Sequence, residues 1–304
     1  MNRFFSAHGK LLLSGEYVVL DGALALALPT RYGQHLALHT AYGQPGQLHW
    51  KSYTATNDCW FEALFEFPAG RILQSSDPTV ANTLQRMLLF VQDHSPAFVS
   101  DIQAGARVTT YLDFPENWGL GSSSTLISCL SQWTGTNAYE LLAASLGGSG
   151  YDIACAQTSG PILYQNRQFV HLPFRPPFHP NLYFVFLGKK QNSREGIARY
   201  REKGKAPTAL LDAISRISLT LSTCSTQSCF DEALIQHEQL ISHYLDLPRA
   251  QALHFPDFKG TIKSLGAWGG DFVLASSQLP PEPTRNYFSR KGYPIVLDYA
   301  QLCR

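Results

Sequence analysis

The stretch Pro115-Glu116-Asn117-Trp118-Gly119-Leu120-Gly121-Ser122-Ser123-Ser124 decides how this chain is read. Two glycines one residue apart let the backbone turn tightly and approach a ligand with no Cβ in the way. Leu126, Ile127 and Leu130 come next at helical spacing, so a helix is expected to begin within the serines. A helix start presents unpaired N–H groups and the positive end of the helix dipole, and together these bind phosphate. Serine hydroxyls add donors, which makes Ser122 and Ser123 candidates for holding Mg2+ as well as phosphate. No Gly-Lys-Ser/Thr comes after the turn, and the spacing does not fit Gly-x-Gly-x-x-Gly. An ordinary loop with a serine helix cap would carry the same letters.

Working outward, the pattern predicts strands over residues 4–13, 16–20, 23–28, 35–39, 48–53, 60–67, 106–113, 182–187, 272–275 and 294–298. A hairpin is expected over 162–170, turning at Asn166. Asp77-Pro78 opens a helix, with Leu84, Met87, Leu88 and Val91 on its apolar face. Further helices are expected over 122–133, 137–146, 207–221 and 229–245. Strands and helices mix without regular alternation, so the class is α+β. The proline-rich piece over 173–180 is the best boundary, which gives domains over 1–172 and 181–304.

Of 304 residues, 44% are hydrophobic and 15% charged, enough for a real core and against disorder. A net charge of +1 makes nucleic acid and an anionic membrane poor general partners, while a local cationic pocket for a small anionic molecule stays allowed. The six cysteines form no Cys-x-x-Cys pair and are read as reduced thiols of a cytoplasmic protein. No signal peptide is expected, because the apolar run Leu11 to Leu13 is short and Glu16 cuts off its continuation. No apolar stretch approaches the ~20 residues of a membrane span.

Four motifs together resemble the GHMP kinase superfamily, which includes galactokinase, homoserine kinase, mevalonate kinase and phosphomevalonate kinase. Pro115 to Ser123 matches its central Pro-x-x-x-Gly-Leu-Gly-Ser-Ser motif. Gly9-Lys10, then Gly15-Glu16-Tyr17, matches its first motif, with His8 where a proline is usual. Ser149-Gly150-Tyr151-Asp152 matches Ser-Gly-x-Asp of the mevalonate and phosphomevalonate kinases. Lys263-Ser264-Leu265-Gly266-Ala267-Trp268-Gly269-Gly270-Asp271 matches the C-terminal glycine loop, with Trp268 at a glycine position. The Gly-Glu-His-x-Asp pattern of galactokinases is absent.

The resemblance implies a two-domain α+β fold, with an N-terminal half like ribosomal S5 domain 2 and a ferredoxin-like C-terminal half. It also implies an ATP- and Mg2+-dependent kinase acting on a small anionic metabolite of the mevalonate or phosphomevalonate kind, and so a place in isoprenoid biosynthesis. Asp152 is then the candidate base and Lys10 the cation near the transferred group. Pro115, Gly119, Leu120, Gly121, Ser122, Ser123 and Ser124, with Gly266, Ala267, Gly269 and Gly270, are expected around ATP. Glu16, Tyr17, Ser149, Gly150, Lys190 and Ser193 are expected on the substrate side. The glutamate that the family adds as a metal ligand falls at Leu141, and neighbouring Glu140 reads as part of a helix cap after Asn137. A catalytically inactive binding protein of the same fold is the alternative. Assembly as a homodimer is left open.

Overall fold

The computed structural model describes residues 2–189, 193–266, 268 and 271–304. In chain order the described strands are β1 (Asn2–Ser14), β2 (Ala25–Thr40), β3 (Gln47–Tyr53), β4 (Cys59–Glu66), β5 (Arg71–Ser75), β6 (Ala106–Leu112), β7 (Ile162–Gln165), β8 (Gln168–His171), β9 (Leu182–Phe186), β10 (Gly260–Ser264), β11 (Phe272–Ser277) and β12 (Val296–Asp298). The α-helices are α1 (Pro78–His94), α2 (Pro96–Gln103), α3 (Ser122–Thr134), α4 (Ala138–Ser145), α5 (Tyr151–Gln157), α6 (Ser193–Glu202), α7 (Thr208–Thr223), α8 (Gln227–Leu245), α9 (Ala250–His254), α10 (Pro281–Arg290) and α11 (Tyr299–Leu302). The α+β class expected from the sequence is the class found.

The chain divides into two compact units. The first holds Met1–Gly9, Tyr32–Glu116 and Leu120–Gln157. Its strands run in the order β5-β4-β3-β6-β2, with β3 parallel to β6 and the other neighbours antiparallel. Alternating residues of these strands meet helices α1 to α5 in one apolar core, in which Trp50, Phe61, Phe65, Leu88 and Phe98 are buried. Asp77 caps α1 by accepting from the N–H groups of Thr79 and Val80, and the predicted face of Leu84, Met87, Leu88 and Val91 is buried. Ser95-Pro96 starts α2 by the same device, with the Ser95 hydroxyl accepting from Phe98 N–H.

The second unit holds Lys10–Arg31, Asn117–Gly119 and Thr158–Arg304. The first part of β2 pairs there with β7, and β7 with β8. A separate four-stranded antiparallel sheet runs β10-β11-β9-β12. Its core contains Tyr183, Val185, Phe255, Ile262, Val273 and Phe288.

Three expectations are corrected. Residues 16–20 do not form a strand: Gly15 at φ +95° and Tyr17 at φ +63° turn the chain, and Val18–Asp21 is a 3-10 helix. The strand expected over 23–28 runs on as β2 through Pro29. Pro29 lies in β2 outside the β6 and β7 ladders, so its missing N–H removes no bond from either. Cys224 and Cys229 are joined by a disulfide rather than free, because the turn from α7 into α8 brings their Cα atoms to 5.9 Å. The other four cysteines are in no disulfide.

Candidate functional site

In the first unit the serines after the glycine turn do begin a helix. Gly121, at φ +91°, is the N-cap of α3, and no side chain caps it. A 13-residue helix starts here, and the first N–H groups of any helix have no partner within it. Ser122 is half-buried and Ser123 exposed, both on the first turn. Ser124 differs: it is buried and its hydroxyl donates to the Gly121 carbonyl at 2.8 Å, so it shapes the loop. Thr125 ties the same turn to β2 by donating to Gln34 Oε1 at 2.7 Å. Leu120 is fully buried, which leaves only its backbone for a ligand. Pro115 is exposed at the loop entry.

Gly150 opens α5, its carbonyl accepting from Ala154 N–H at 3.1 Å. Asp152 is half-buried in the first turn, with Oδ1 accepting from its neighbour Ile153 N–H at 3.1 Å. Ser149, just before, is half-buried. Asn137 caps α4 by accepting from Tyr139 and Glu140 N–H. Leu141 is fully buried in the apolar core, and Glu140 is exposed to solvent.

In the second unit Lys10 Nζ donates to the carbonyl of Gly119 at 2.9 Å, fixing an ammonium on the glycine turn. Gly119 needs to be glycine for two reasons. Its φ is +66°, and a Cβ there would lie 2.3 Å from Oδ2 of Asp271. The preceding Trp118 anchors the turn by packing edge-on against Phe272, ring centroids 5.5 Å apart.

Tyr17, at φ +63°, stacks on Tyr200 with centroids 5.7 Å apart, and its hydroxyl lies against Gly196 of α6. Burial, reinforced by the charge of Glu16, pushes its phenol up to about 12, so it stays protonated. Tyr200 donates to Asp21 Oδ2 at 2.5 Å, which holds α6 on the turn just after Tyr17. Ser193 is the first residue of α6. Gly266 lies in the second glycine loop at φ +64°. Lys190, Ala267, Gly269 and Gly270 lie outside the described residues. Trp268 is buried, and its indole N–H has no hydrogen-bond partner among the described residues.

Glu16 is placed unlike a substrate contact. It is fully buried, and Lys263, equally buried, donates to its Oε1. Lys263 also donates to the Ser264 carbonyl at 2.8 Å, and Ser264 N–H donates to Glu238 Oε1 at 2.6 Å. His237 Nε2 accepts from Gly15 N–H at 2.9 Å, which fixes the neutral tautomer protonated on Nδ1. Its 3.2 Å approach to Glu16 is then not an ion pair. Burial holds the imidazole well below its usual range, and burial raises both carboxyls.

No family model matches the chain, and no curated protein does. Solved structures do match over nearly its whole length. The phosphomevalonate kinase of Streptococcus pneumoniae, in complex with phosphomevalonate and AMPPNP, superposes with a TM-score of 0.71 at 15% identity, covering 97% of this chain and 99% of its own. The mevalonate kinase of Methanococcus jannaschii gives 0.67 at 14%, covering 100% and 98%. The fold is that of the GHMP kinases. The galactokinase of Lactococcus lactis, complexed with galactose, also matches, at 0.66 and 13%, covering 98% and 92%. The GHMP kinase fold is therefore shared by neighbours named for galactose, mevalonate and phosphomevalonate, and identities this low establish the fold alone.

Within this GHMP kinase fold, sequence reasoning missed the buried partners of Glu16. Lys263 and Asp271 stand inside a motif the sequence displays, but nothing local gives either a role. His237 and Glu238 sit mid-helix in α8 with no local signal. Among the described residues no group of three His, Cys, Asp or Glu side chains could hold a metal. Mg2+ does not require one, since it takes one or two carboxylates with phosphate oxygens and water. The first turn of α3 carries Ser122 and Ser123, whose hydroxyls are the candidate holders of such a cation and its phosphates.

Proposed function

We propose that this chain is an ATP-dependent small-molecule phosphotransferase, moving the γ-phosphoryl group of ATP to a hydroxyl or phosphate of a small anionic metabolite. The observation that carries this reading is the start of α3 at Gly121, which follows directly on a glycine turn in the chain. The N–H groups of a helix start are what a phosphate needs. The first turn of α3, with Ser122 and Ser123, takes phosphate oxygens. Lys10 stabilises charge that builds on the transferred group. Asp152 accepts or orients the proton of an acceptor hydroxyl. For a phosphate acceptor no base is required, and Asp152 then orients. Bound Mg2+ supplies charge neutralisation, with Ser122 and Ser123 as its candidate holders on α3.

We favour a mevalonate- or phosphomevalonate-like acceptor, which would place the chain in isoprenoid biosynthesis in the cytoplasm. The Ser149-Gly150-Tyr151-Asp152 motif supports this, as does the neighbour solved with phosphomevalonate and AMPPNP. A nucleotide-binding protein of the same fold without turnover is the second reading. The burial of Leu141 at the metal-glutamate position favours it.

Purified protein with Mg-ATP and a panel of acceptors tests both readings. Mevalonate and phosphomevalonate are the candidates, with galactose and homoserine as comparisons. ADP formation that disappears in Asp152→Asn supports the kinase. Binding of ATP without ADP for any acceptor supports the second reading. Absence of ATP binding overturns both.

A further inference from the structure

We propose that the Cys224–Cys229 disulfide is a thiol–disulfide exchange site, opened by a dithiol and closed by a disulfide reagent, that sets how firmly α7 and α8 grip the turn after β1. The inference is independent of the proposed reaction. The two sulfurs are joined across the connection between the helices, with Cys224 at the C-cap of α7 and Cys229 in the first turn of α8. Both helices hold the chain between Ser14 and Leu24, and all of these residues belong to the second unit. From α7, Ser215 Oγ accepts from Leu24 N–H at 2.9 Å, and Ser218 Oγ lies 2.7 Å from the Leu24 carbonyl and 2.8 Å from Ser14 Oγ. From α8, His237 Nε2 accepts from Gly15 N–H at 2.9 Å. The link is therefore a clasp at the end of the helical hairpin that holds the Gly15-Glu16-Tyr17 turn.

Ser218 precedes Cys224, and His237 follows Cys229, by roughly 9 and 12 Å of helix. The link and the two grips thus act on the same pair of helices about two turns apart. The closed loop is short, since the cysteines are 5 positions apart in sequence. A short loop adds little chain-entropy stabilisation. The helices pack for a separate reason: Ile214, Ile217 and Leu221 of α7 and Phe230, Leu234 and Ile241 of α8 are all buried. Opening the link therefore leaves the fold intact and frees only the end of the hairpin.

Cys229 is half-buried and Cys224 buried, so a reagent reaches Cys229 Sγ first. A thiolate of the dithiol bonds to Cys229 Sγ as the bond to Cys224 breaks, and Cys224 leaves as a thiolate that takes up a proton. The second thiolate of the reagent then attacks the reagent's own sulfur in this mixed disulfide and expels Cys229 as a thiolate. The positive end of the α8 dipole stabilises that charge until it too is protonated. The protein gains two electrons and two protons, and the dithiol loses them as it closes to a disulfide. Disulfides of cytoplasmic proteins are commonly made and broken in this way rather than kept, and the cytoplasm is the compartment proposed above.

The test brings the full-length protein to its linked and reduced forms with oxidised and reduced dithiothreitol, under native conditions. Alkylation and intact mass should count two more thiols in the reduced form, and re-oxidation should remove them. Thermal melting should show both forms folded. Hydrogen–deuterium exchange is then compared for the peptide spanning 14–26, whose Gly15 and Leu24 amides donate to His237 and Ser215. It should exchange about 3-fold or more faster in the reduced form, because local opening becomes easier. A peptide spanning 47–66, in the first unit, should exchange equally in both forms. Cys229→Ser should behave as the reduced form in either reagent. A link that opens only in denaturant, or whose opening melts the whole protein, is purely structural and overturns the proposal. Equal exchange of the 14–26 peptide in the two forms overturns it as well. So does a protein in which oxidised dithiothreitol leaves every thiol titratable.

Discussion

The ammonium of Lys263 donates to the carboxylate of Glu16, and both side chains are fully excluded from solvent. They are 247 residues apart in sequence. Glu16 comes directly after the Gly15 turn, and Lys263 lies near the end of β10, just before the second glycine loop. One buried ion pair therefore ties two of the four sequence motifs together. Buried pairs add little net stability against an apolar substitute, but removing one partner strands the other charge.

Lys263→Met should therefore lower the unfolding free energy by about 3–5 kcal/mol. Adding Glu16→Gln should recover part of the loss, because the stranded charge is gone. Urea denaturation of the two single variants and the double variant closes the cycle. Strict additivity would show that the pair does not act as one unit.

His237 sets a pH dependence of definite sign. Its Nε2 accepts from Gly15, and burial holds the folded pKa well below the ordinary 6.5. As pH falls through 6.5 the unfolded chain takes a proton that the folded chain refuses. The stabilising contribution is thus full above that pH and declines below it, by at most about 1.4 kcal/mol per pH unit. Glu16 and Glu238, raised above 4.5, act in the other direction: their contribution is full below 4.5 and is lost as pH rises through their folded values. His237→Gln keeps an acceptor for Gly15 and removes only the first effect. Between pH 7.5 and pH 5.5 the denaturation midpoint should fall further for the wild type than for the variant. Equal falls would mean that His237 is protonated in the folded protein.

Asp152 and Lys10 should separate in kinetics. With a hydroxyl acceptor, Asp152→Asn is expected to lower kcat about 10²- to 10⁴-fold and to leave nucleotide-analogue affinity alone. Lys10→Met should weaken both, since its ammonium is bonded to the Gly119 carbonyl. An unchanged kcat in Asp152→Asn would remove it from the reaction.

Thiol counting checks the corrected cysteine assignment. Of six cysteines, two are paired, so denatured, unreduced protein should titrate four thiols, and six after reduction. Six before reduction would restore the reading drawn from the sequence.

Much of this was legible in the letters. The Asp77-Pro78 cap, the apolar face of α1 and the hairpin at Asn166 obey local rules, because each depends on residues a few positions apart. Ser95-Pro96 carried the same helix-start signal as Asp77-Pro78, and α2 could have been read from it. Residues 16–20 misled because Val18 and Val19 favour a strand, while the turn there is imposed by Gly15 and a tyrosine at positive φ. The disulfide was hidden because spacing alone does not say which cysteines a turn brings together.

The sequence by itself determined the α+β class, the glycine turns and the helix start at Ser122, since glycine freedom and helix periodicity are local properties. It also marked Lys10 and Asp152 as the residues to examine. Only the tertiary structure decided that Glu16 is held by Lys263 inside the protein, that His237 is neutral, and that Asp271 stands on Gly119. Those relationships join residues 152 to 247 positions apart, and burial, which sets the protonation and partner of each group, has no local signature.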